Sequence, residues 1–353
     1  MKYLSQRARS LMLYSDAAEY STDTRSVALN TTLSPYPPSP AAVQAAQQMQ
    51  MEHLNRYPDP DSTELTRAIA ANFGLDPSNV CITNGAEEAL SLCIPACFDA
   101  GQVVAVGTDT NRFLRSVLHL NSVVCKTCGL PEDLRPRAED YTDLAVDGLI
   151  LSNPHYPTGT PIGRNDMLAV VRANLDRVVI LDERYAEFGN TSLAAFVNDC
   201  PNLIVIRTFS KAYGLAGLRC GYALAHPDLI EGLRNVKRSL GQYPMDTFTQ
   251  TVAAAAIRDK AYLAKTVHAI VTMREEVAER LREMHCEVLP SDANFLLVRP
   301  PHLPASEVVY QLQENGIRVK HHKVPMLDEY FCVTIGTDEE MQTLLQALRR
   351  IRI

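Results

Sequence analysis

The sequence predicts an α/β fold in which a large domain with a mostly parallel sheet is followed by a smaller α+β domain. The first observation is a series of short, continuously apolar runs that alternate with segments of helical periodicity. Such runs are typical of strands buried on both faces of a parallel sheet. The second observation is that the alternation stops after Gln250, where a long helical stretch precedes separate short strands and helices. That change indicates a second, differently built domain.

The apolar runs set the predicted order of elements along the chain. The predicted strands of the large sheet, separated by helices at 87–97 and 165–174, are 80–83, 103–106, 148–151, 178–181 and 203–206. The smaller domain is predicted to contain a helix over about 249–284, strands at 288–289, 295–298, 318–319 and 331–334, and helices at 305–315 and 339–351. Residues 30–40 are too rich in proline for a helix and are predicted to be an extended connector. The predicted division is an N-terminal arm (1–35), a large domain (36–248) and a small domain (249–353).

Composition restricts the classes of function. The 353 residues are 46% hydrophobic and 21% charged, which is ordinary for a globular protein, and the net charge of -7 argues against nucleic-acid or anionic-membrane partners. No apolar run approaches the roughly 20 residues of a membrane-spanning helix. The N-terminus lacks the apolar core of a signal peptide. The chain has nine cysteines, and an odd number in a long chain is typical of a reducing compartment. We therefore expect a cytoplasmic protein, and we expect no metal site.

The most informative segment is 207–222, Arg-Thr-Phe-Ser-Lys-Ala-Tyr-Gly-Leu-Ala-Gly-Leu-Arg-Cys-Gly-Tyr. It brings Lys211 together with the hydroxyls of Thr208 and Ser210 and with Arg219. A lysine that reacts with carbonyl groups needs a partly unprotonated amine, which burial and nearby cations promote. Hydroxyls and a guanidinium on the same loop are suited to a phosphate dianion. The segment resembles the lysine loop of fold-type I pyridoxal-phosphate aminotransferases (class I/II), most closely the histidinol-phosphate aminotransferase branch.

Two further segments support this resemblance. The segment 83–88, Thr-Asn-Gly-Ala-Glu-Glu, follows a predicted strand and opens a helix, where backbone amides can approach a phosphate. The segment 181–188 ends a buried strand with Asp182, and an acid at that point marks the ligand edge of an α/β sheet. Asp182 and Lys211 are separated by one βα unit, so we expect them on neighbouring strand ends.

The resemblance covers essentially the whole chain and implies a set of roles. The cofactor is pyridoxal 5'-phosphate, and Lys211 binds it as a Schiff base and acts as the catalytic acid and base. Asp182 pairs with the ring nitrogen, and Tyr185 hydrogen-bonds the phenolic oxygen. Residues assigned to the phosphate are Ala86, Glu87, Thr208, Ser210, Arg219 and Tyr57. Tyr57 reaches the site from the neighbouring subunit, which implies a homodimer whose active site lies between domains and subunits.

Three positions depart from the family pattern. Tyr156 stands directly before Pro-Thr-Gly where relatives have an asparagine, and Asn153 comes three residues too early to be its equivalent. By simple register, Asn111 takes the place of the aromatic residue that stacks on the ring. Cys332 takes the place of the arginine that binds a substrate carboxylate or phosphate. The candidate substrate-binding residues are Lys320, Cys332 and Tyr243, while Asn111 and Tyr156 are candidates for the cofactor.

The predicted reaction is transamination between an amino acid, or an amine derived from one, and a 2-oxo acid. A non-transaminating enzyme of the same fold, such as a decarboxylase, cyclase or oxidase, is the alternative that the loss of arginine at Cys332 favours. A cofactor-sensing regulator would need an N-terminal DNA-binding domain, for which the residues before Pro35 leave no room. Because a thiol cannot replace an arginine as an anion ligand, the sequence also predicts that histidinol phosphate is a poor substrate.

Overall fold

The computed structural model describes residues 3–11, 26–107, 112–243 and 245–353. In chain order, the strands are β1 (Val27–Ala28), β2 (Val80–Thr83), β3 (Val103–Val106), β4 (Val124–Thr127), β5 (Gly148–Ser152), β6 (Val178–Asp182), β7 (Leu203–Thr208), β8 (Gly221–Ala225), β9 (Glu287–Val288), β10 (Phe295–Arg299), β11 (Ile317–Arg318), β12 (Lys320–His321) and β13 (Phe331–Thr334). The α-helices are α1 (Gln6–Ser10), α2 (Pro40–Gln47), α3 (Thr63–Phe73), α4 (Gly85–Cys97), α5 (Arg112–Leu120), α6 (Arg164–Ala173), α7 (Pro227–Leu240), α8 (Thr247–Arg258), α9 (Lys260–Glu283), α10 (Ala305–Glu314) and α11 (Asp338–Ile351).

Seven strands form the large sheet in the order β2-β8-β7-β6-β5-β3-β4. Strands β3 to β7 run parallel, whereas β8 is antiparallel to both β7 and β2. The five predicted strands and the mostly parallel sheet are thus confirmed. The sequence-based prediction missed β8, although all five of its residues are buried.

Each face of the large sheet is covered by helices, as the continuously apolar strands predicted. Successive side chains of a strand point to opposite faces, so Val179 and Leu181 of β6 lie in one hydrophobic core and Ile180 lies in the other. The first core includes side chains from α3 and α6, and the second includes side chains from α4, α5 and α7.

A separate sheet follows in the C-terminal part of the chain. It has four antiparallel strands in the order β12-β13-β10-β9. The strand predicted at 318–319 instead lies at 317–318 as β11, where it pairs in parallel with β1 of the N-terminal arm. The strand β12 was missed because Lys320 and His321 carry no apolar signal. The division at residues 36–248 and 249–353 stays a prediction.

The single helix predicted over 249–284 is wrong, because the chain forms two helices, α8 and α9, that meet at Asp259. The side chain of Asp259 accepts a hydrogen bond from the backbone amide of Tyr262 at 3.2 Å and so caps α9. A carboxylate that can satisfy a helix-start amide offers the backbone an alternative to a continuous helix. Within the described parts of the chain, no helix is both long and apolar enough to cross a membrane.

The parallel strands bring polar side chains to one edge of the large sheet. Ser152 at the end of β5 is the register partner of Asp182 at the end of β6, and β7 ends beside them at Thr208. Ligands bind at the carboxyl ends of strands in sheets of this type. Lys211 follows β7 by three residues, so the predicted neighbourhood of Asp182 and Lys211 agrees with the fold.

Two glycines allow the start of α4 to approach β8 closely at this edge. A Cβ on Gly221 would lie 2.6 Å from the carbonyl carbon of Gly85 and 2.8 Å from the amide nitrogen of Ala86. Gly85 itself has φ of +76°, which disfavours side chains, and a Cβ there would lie 2.9 Å from the guanidinium of Arg219. The contact therefore requires glycine at both positions.

We expect Gly221→Ala to lower the free energy of unfolding by about 1–3 kcal/mol, since the added methyl group meets backbone atoms that must shift. Gly232→Ala, inside α7 with no atom within 4 Å of the new Cβ, is the matched control and should instead raise stability by about 0.5–1 kcal/mol. Urea unfolding of both variants measures the difference. A Gly221→Ala protein as stable as the parent would show that this approach does not constrain the fold.

Candidate active site

A cavity of about 470 Å³ lies at the carboxyl ends of the parallel strands. This volume is within the usual range for small-molecule sites. Ten of the residues predicted for the site line it: Ala86, Glu87, Tyr156, Asp182, Tyr185, Thr208, Ser210, Lys211, Arg219 and Lys320. Elements distant in sequence, from α4 to β12, therefore contribute to a single cavity.

The amine of Lys211 is held by the N-terminal arm. Its Nζ donates a hydrogen bond to the carbonyl oxygen of Thr31 at 3.1 Å and a short one to Oγ1 of Thr32. The hydroxyl of Tyr185 lies 3.2 Å from Oγ1 of Thr32. These contacts place the amine between the lysine loop, the arm and the strand that carries Tyr185.

Thr32 adopts an uncommon backbone conformation at this point. Its φ of +53° is unusual for a β-branched residue, and such conformations persist only where neighbouring groups hold them. Oγ1 of Thr334 accepts a hydrogen bond from the Thr32 amide at 2.9 Å, and the side-chain amide of Asn294 donates to the Thr32 carbonyl at 3.0 Å. The small sheet thus fixes the arm against the lysine.

Burial is the main cause that lowers the pKa of Lys211 to about 7; the cations Arg184, Lys320 and Arg219 contribute to the decrease, and Asp182 partly opposes it. A buried amine surrounded by positive charge is disfavoured in its protonated form. A substantial fraction of Lys211 is therefore neutral, and available as a nucleophile or base, near pH 7.

The phosphate-binding residues predicted from the lysine loop form one group beside the start of α4. The hydroxyl of Thr208 donates to the hydroxyl of Ser210 at 3.1 Å, and the Ser210 amide donates to Thr208 Oγ1 at 3.1 Å. Arg219 reaches across and forms an ion pair with Glu87 at 2.9 Å. Ala86 lies in the first turn of α4, where backbone amides lack intrahelical partners, so its amide adds to a set of donors suited to an anion.

Asp182 carries an ion pair that the sequence did not suggest. The Nε of Arg184 lies 2.9 Å and 2.8 Å from the two carboxylate oxygens, and one of these oxygens also accepts from Nη2. Burial opposes the charge of Arg184, but the ion pair outweighs it and raises the pKa of the guanidinium. Both groups line the cavity. The only signal in the sequence was a charged residue two positions after the strand-end acid.

Tyr156 lies in the cavity wall among other aromatic rings. Its ring stacks on Tyr185 with centroids 6.2 Å apart and meets the edges of Phe295 and His322 at 5.8 Å and 5.6 Å. Asn153 does not line the cavity, and its side chain instead donates to and accepts from the backbone of Ile162. Tyr156 therefore contributes to the cavity wall, whereas Asn153 closes a loop.

His155 is a cavity residue that sequence reasoning missed. It is 3% exposed, and its Nδ1 lies 2.9 Å from the hydroxyl of Thr158. Burial lowers the pKa of His155 to about 4, so the imidazole is neutral at pH 7.

Four predicted residues are not among the described residues that line the cavity. Cys332 is 2% exposed and lies opposite Lys320 in the register of β12 and β13. Tyr57 and Tyr243 stack on each other with ring centroids 4.2 Å apart and are 79% and 42% exposed. Asn111 lies outside the described residues.

The charges of the cavity are mainly positive. Among the described lining residues, the lysines and arginines are Arg112, Arg184, Lys211, Arg219, Lys320 and Lys323, and the carboxylates are Glu87 and Asp182. Such a cavity attracts anions and stabilises them once they are bound.

Comparison with known proteins identifies the family to which the chain belongs. The model of the family "Aminotransferase class I and II" matches residues 25–348, almost the whole chain. The chain belongs to this family. Membership confirms the resemblance, the predicted fold class, the aminotransferase function and the pyridoxal-phosphate dependence that the resemblance implied. It does not favour the alternative of a decarboxylase, cyclase or oxidase.

Individual proteins that are similar to this aminotransferase support the same family. A histidinol-phosphate aminotransferase of a Marinomonas species is 37% identical over 335 residues, covering 94% of this chain and 95% of the relative. One of Acetobacter pasteurianus is 37% identical over 325 residues, covering 92% and 91%. The crystal structure of the Sinorhizobium meliloti histidinol-phosphate aminotransferase, in complex with pyridoxal-5'-phosphate, superposes with a TM-score of 0.89 at 24% identity and covers 100% of this chain and 98% of that one.

We expect Lys211 in the cofactor-free aminotransferase to react with trinitrobenzenesulfonate at a rate that rises with pH and is half-maximal near pH 7. Only the neutral amine reacts, and burial is the main cause that lowers its pKa to about 7. Peptide mapping by mass spectrometry gives the rate at this residue. In the urea-unfolded chain, which restores water to the amine, the midpoint should rise toward the ordinary lysine range of about 10. Equal midpoints in both states would contradict the cause assigned here.

Proposed function

We propose that this aminotransferase transfers an amino group between an amine that carries an anionic group and a 2-oxo acid. The observation that carries the proposal is the partly neutral amine of Lys211 in a cavity whose remaining charges are mostly positive. A neutral amine can combine with a carbonyl group, and the surrounding cations favour anions in both the cofactor and the substrate.

The residues present fit pyridoxal phosphate. The close approach of Gly85 and Gly221 brings the start of α4, with the backbone amide of Ala86, against β8, and the guanidinium of Arg219 lies beside Gly85. Thr208 and Ser210 add hydroxyl donors, so these residues would hold the phosphate. When bound, the cofactor supplies an aldehyde that combines with amines and a ring that takes up the electrons of the broken Cα–H bond.

Lys211 has two roles in this proposal. Its Nζ would be the attachment point for the aldehyde, and the neutral Nζ would accept the proton that leaves the substrate Cα. In the reverse half of the reaction the same Nζ would donate a proton to the corresponding carbon of the 2-oxo acid. Thr31 and Thr32 hold Nζ in position through hydrogen bonds. The cations around Lys211 help to lower its pKa, so that part of the amine is neutral and can accept a proton near pH 7.

The cofactor ring would lie between the strand ends. We assign Asp182 to the ring nitrogen and Tyr185 to the phenolic oxygen, as the resemblance implies. Burial raises the pKa of Tyr185 to about 12, so its hydroxyl keeps the proton that it would donate. Tyr156 lines the same wall and would be a second phenol near that oxygen. Asn111 retains its assignment to the ring face as a proposal from the sequence register.

The charge of the cavity supports an amine that carries an anionic group. Lys320 lies directly opposite Cys332 in neighbouring strands, so a cation is placed next to the position where relatives have an arginine. Lys323 and Arg112 add positive charge to the lining. This distribution weighs against the expectation of a less anionic amine, which considered Cys332 alone. Histidinol phosphate, named in the curated relatives, is an amine of the proposed class.

We further propose a homodimer in which Tyr57 completes the phosphate site of the neighbouring subunit. Its ring is largely exposed and lies outside the cavity of its own chain, as a residue serving another subunit would. Tyr243 stacks on it and would support its position from the same surface. We also propose that the enzyme is cytosolic and that its chain is divided into the predicted arm, large domain and small domain.

Borohydride reduction of the cofactor-loaded enzyme is expected to attach the cofactor to the peptide that carries Lys211. Lys211→Ala should give no reduced adduct and should lower turnover by at least about 10³-fold, because both the attachment point and the base are lost. Lys260→Ala, an exposed lysine at the start of α9, is the control and should behave as the parent enzyme. Labelling of another lysine would refute the assignment.

The substrate class is tested by comparing kcat/KM for histidinol phosphate and for histidinol, which lacks the phosphate. We expect the phosphate ester to be preferred by at least about 10-fold, since a charge-assisted hydrogen bond contributes about 1.5–3 kcal/mol. Lys320→Met should reduce that preference, whereas Lys260→Met should not. Equal efficiency with both amines would contradict the proposed class and return the choice to a less anionic substrate.

A further inference from the structure

The carboxylate assigned to the cofactor's ring nitrogen already has a strong partner in this chain. Both oxygens of Asp182 lie within hydrogen-bond distance of the guanidinium of Arg184, and one also accepts from the backbone amide of Arg184 at 3.2 Å. The side chain of Asp182 is 9% exposed and that of Arg184 is 22% exposed, so water screens this pair only weakly. Arg184 and Asp182 both line the cavity, so the ion pair lies at the proposed cofactor site.

We propose that Arg184 competes with the cofactor's ring nitrogen for Asp182 and thereby weakens the protonation of that nitrogen. The inference rests on the proposed assignment of Asp182 to the ring. Arg184 is in this sense a positioning residue that acts on the cofactor through Asp182. Its effect is to moderate how strongly the ring draws electrons from the substrate.

The physical argument has two parts. A protonated ring nitrogen gains from a carboxylate that is free to accept its proton in a hydrogen bond, but here the guanidinium already neutralises much of the charge of Asp182. A permanent positive charge within a few ångströms of the nitrogen also disfavours a second positive charge there. Both effects lower the proton affinity of the nitrogen below what Asp182 alone would produce, and the proton is exchanged with water.

The other charges near this pair do not cancel the effect. Lys320 from β12 and Arg219 are positive neighbours of the same region, and Lys211 from the lysine loop is positive only in part because its pKa is lowered to about 7. Glu87 of α4 is the negative neighbour, and the phenol of Tyr185 is protonated. Glu87 is itself paired with Arg219 at 2.9 Å. Arg184 is distinguished from these groups by its direct contact with both oxygens of Asp182.

The test uses the complete enzyme loaded with pyridoxal phosphate that carries ¹⁵N in the ring, studied by solid-state NMR across a pH series. The ¹⁵N chemical shift distinguishes a protonated ring nitrogen from an unprotonated one, independently of turnover. We expect Arg184→Met to raise the pH at which the nitrogen loses its proton by about one to three units. Arg184→Lys, which keeps the charge but loses the fork, should give a smaller rise.

Two comparisons make the result specific. Lys323→Met removes an exposed cation from the cavity lining without touching Asp182, and it should shift the midpoint much less than Arg184→Met. Asp182→Asn should lower the midpoint. An unchanged midpoint in both Arg184 variants, or equal shifts in Arg184→Met and Lys323→Met, would overturn the inference. Failure of the parent enzyme to bind the cofactor would instead overturn the proposed function.

Discussion

The site depends on the removal of Lys211 from water among other cations. A lysine in solution is protonated at neutral pH, and neither a nucleophile nor a base is then available. Burial is the main cause of its lowered pKa, and Arg184, Lys320 and Arg219 add to it. Each of these cations also attracts the anionic groups that the proposed reaction requires. The same cations thus lower the pKa of the amine and, in the proposed function, favour anionic substrates.

That arrangement requires close packing at the carboxyl edge of the large sheet. The parallel strands bring Asp182 and Thr208 to this edge, and the approach of Gly85 to Gly221 brings the start of α4 beside them. A Cβ at either glycine would displace backbone or the guanidinium of Arg219. The glycines therefore allow the packing of β8 and the position of the proposed phosphate site at once.

The neutral side chain of Cys332, which does not line the cavity, lies opposite a cation that does. Cys332 has no positive charge, yet Lys320 stands opposite it on the neighbouring strand, and Arg184 adds a cation at the strand-end acid. The resemblance to the family, taken residue by residue, indicated only the loss of an arginine at position 332. The total charge of the cavity depends on which side chains share the space, and the proposal of an anionic amine rests on that charge.

The sequence by itself determined the fold class, the lysine loop and the family, because buried strands need continuous apolar runs and the reacting groups lie within short segments. It did not predict that the arm would bind Lys211 through Thr31 and Thr32, that Arg184 would hold Asp182, or that the helix would break at Asp259. Those features depend on contacts between distant segments or on competition between local hydrogen bonds, for which residue periodicity carries no signal. Tertiary structure decided them, since only folding brings the arm, the strand ends and β12 to one cavity.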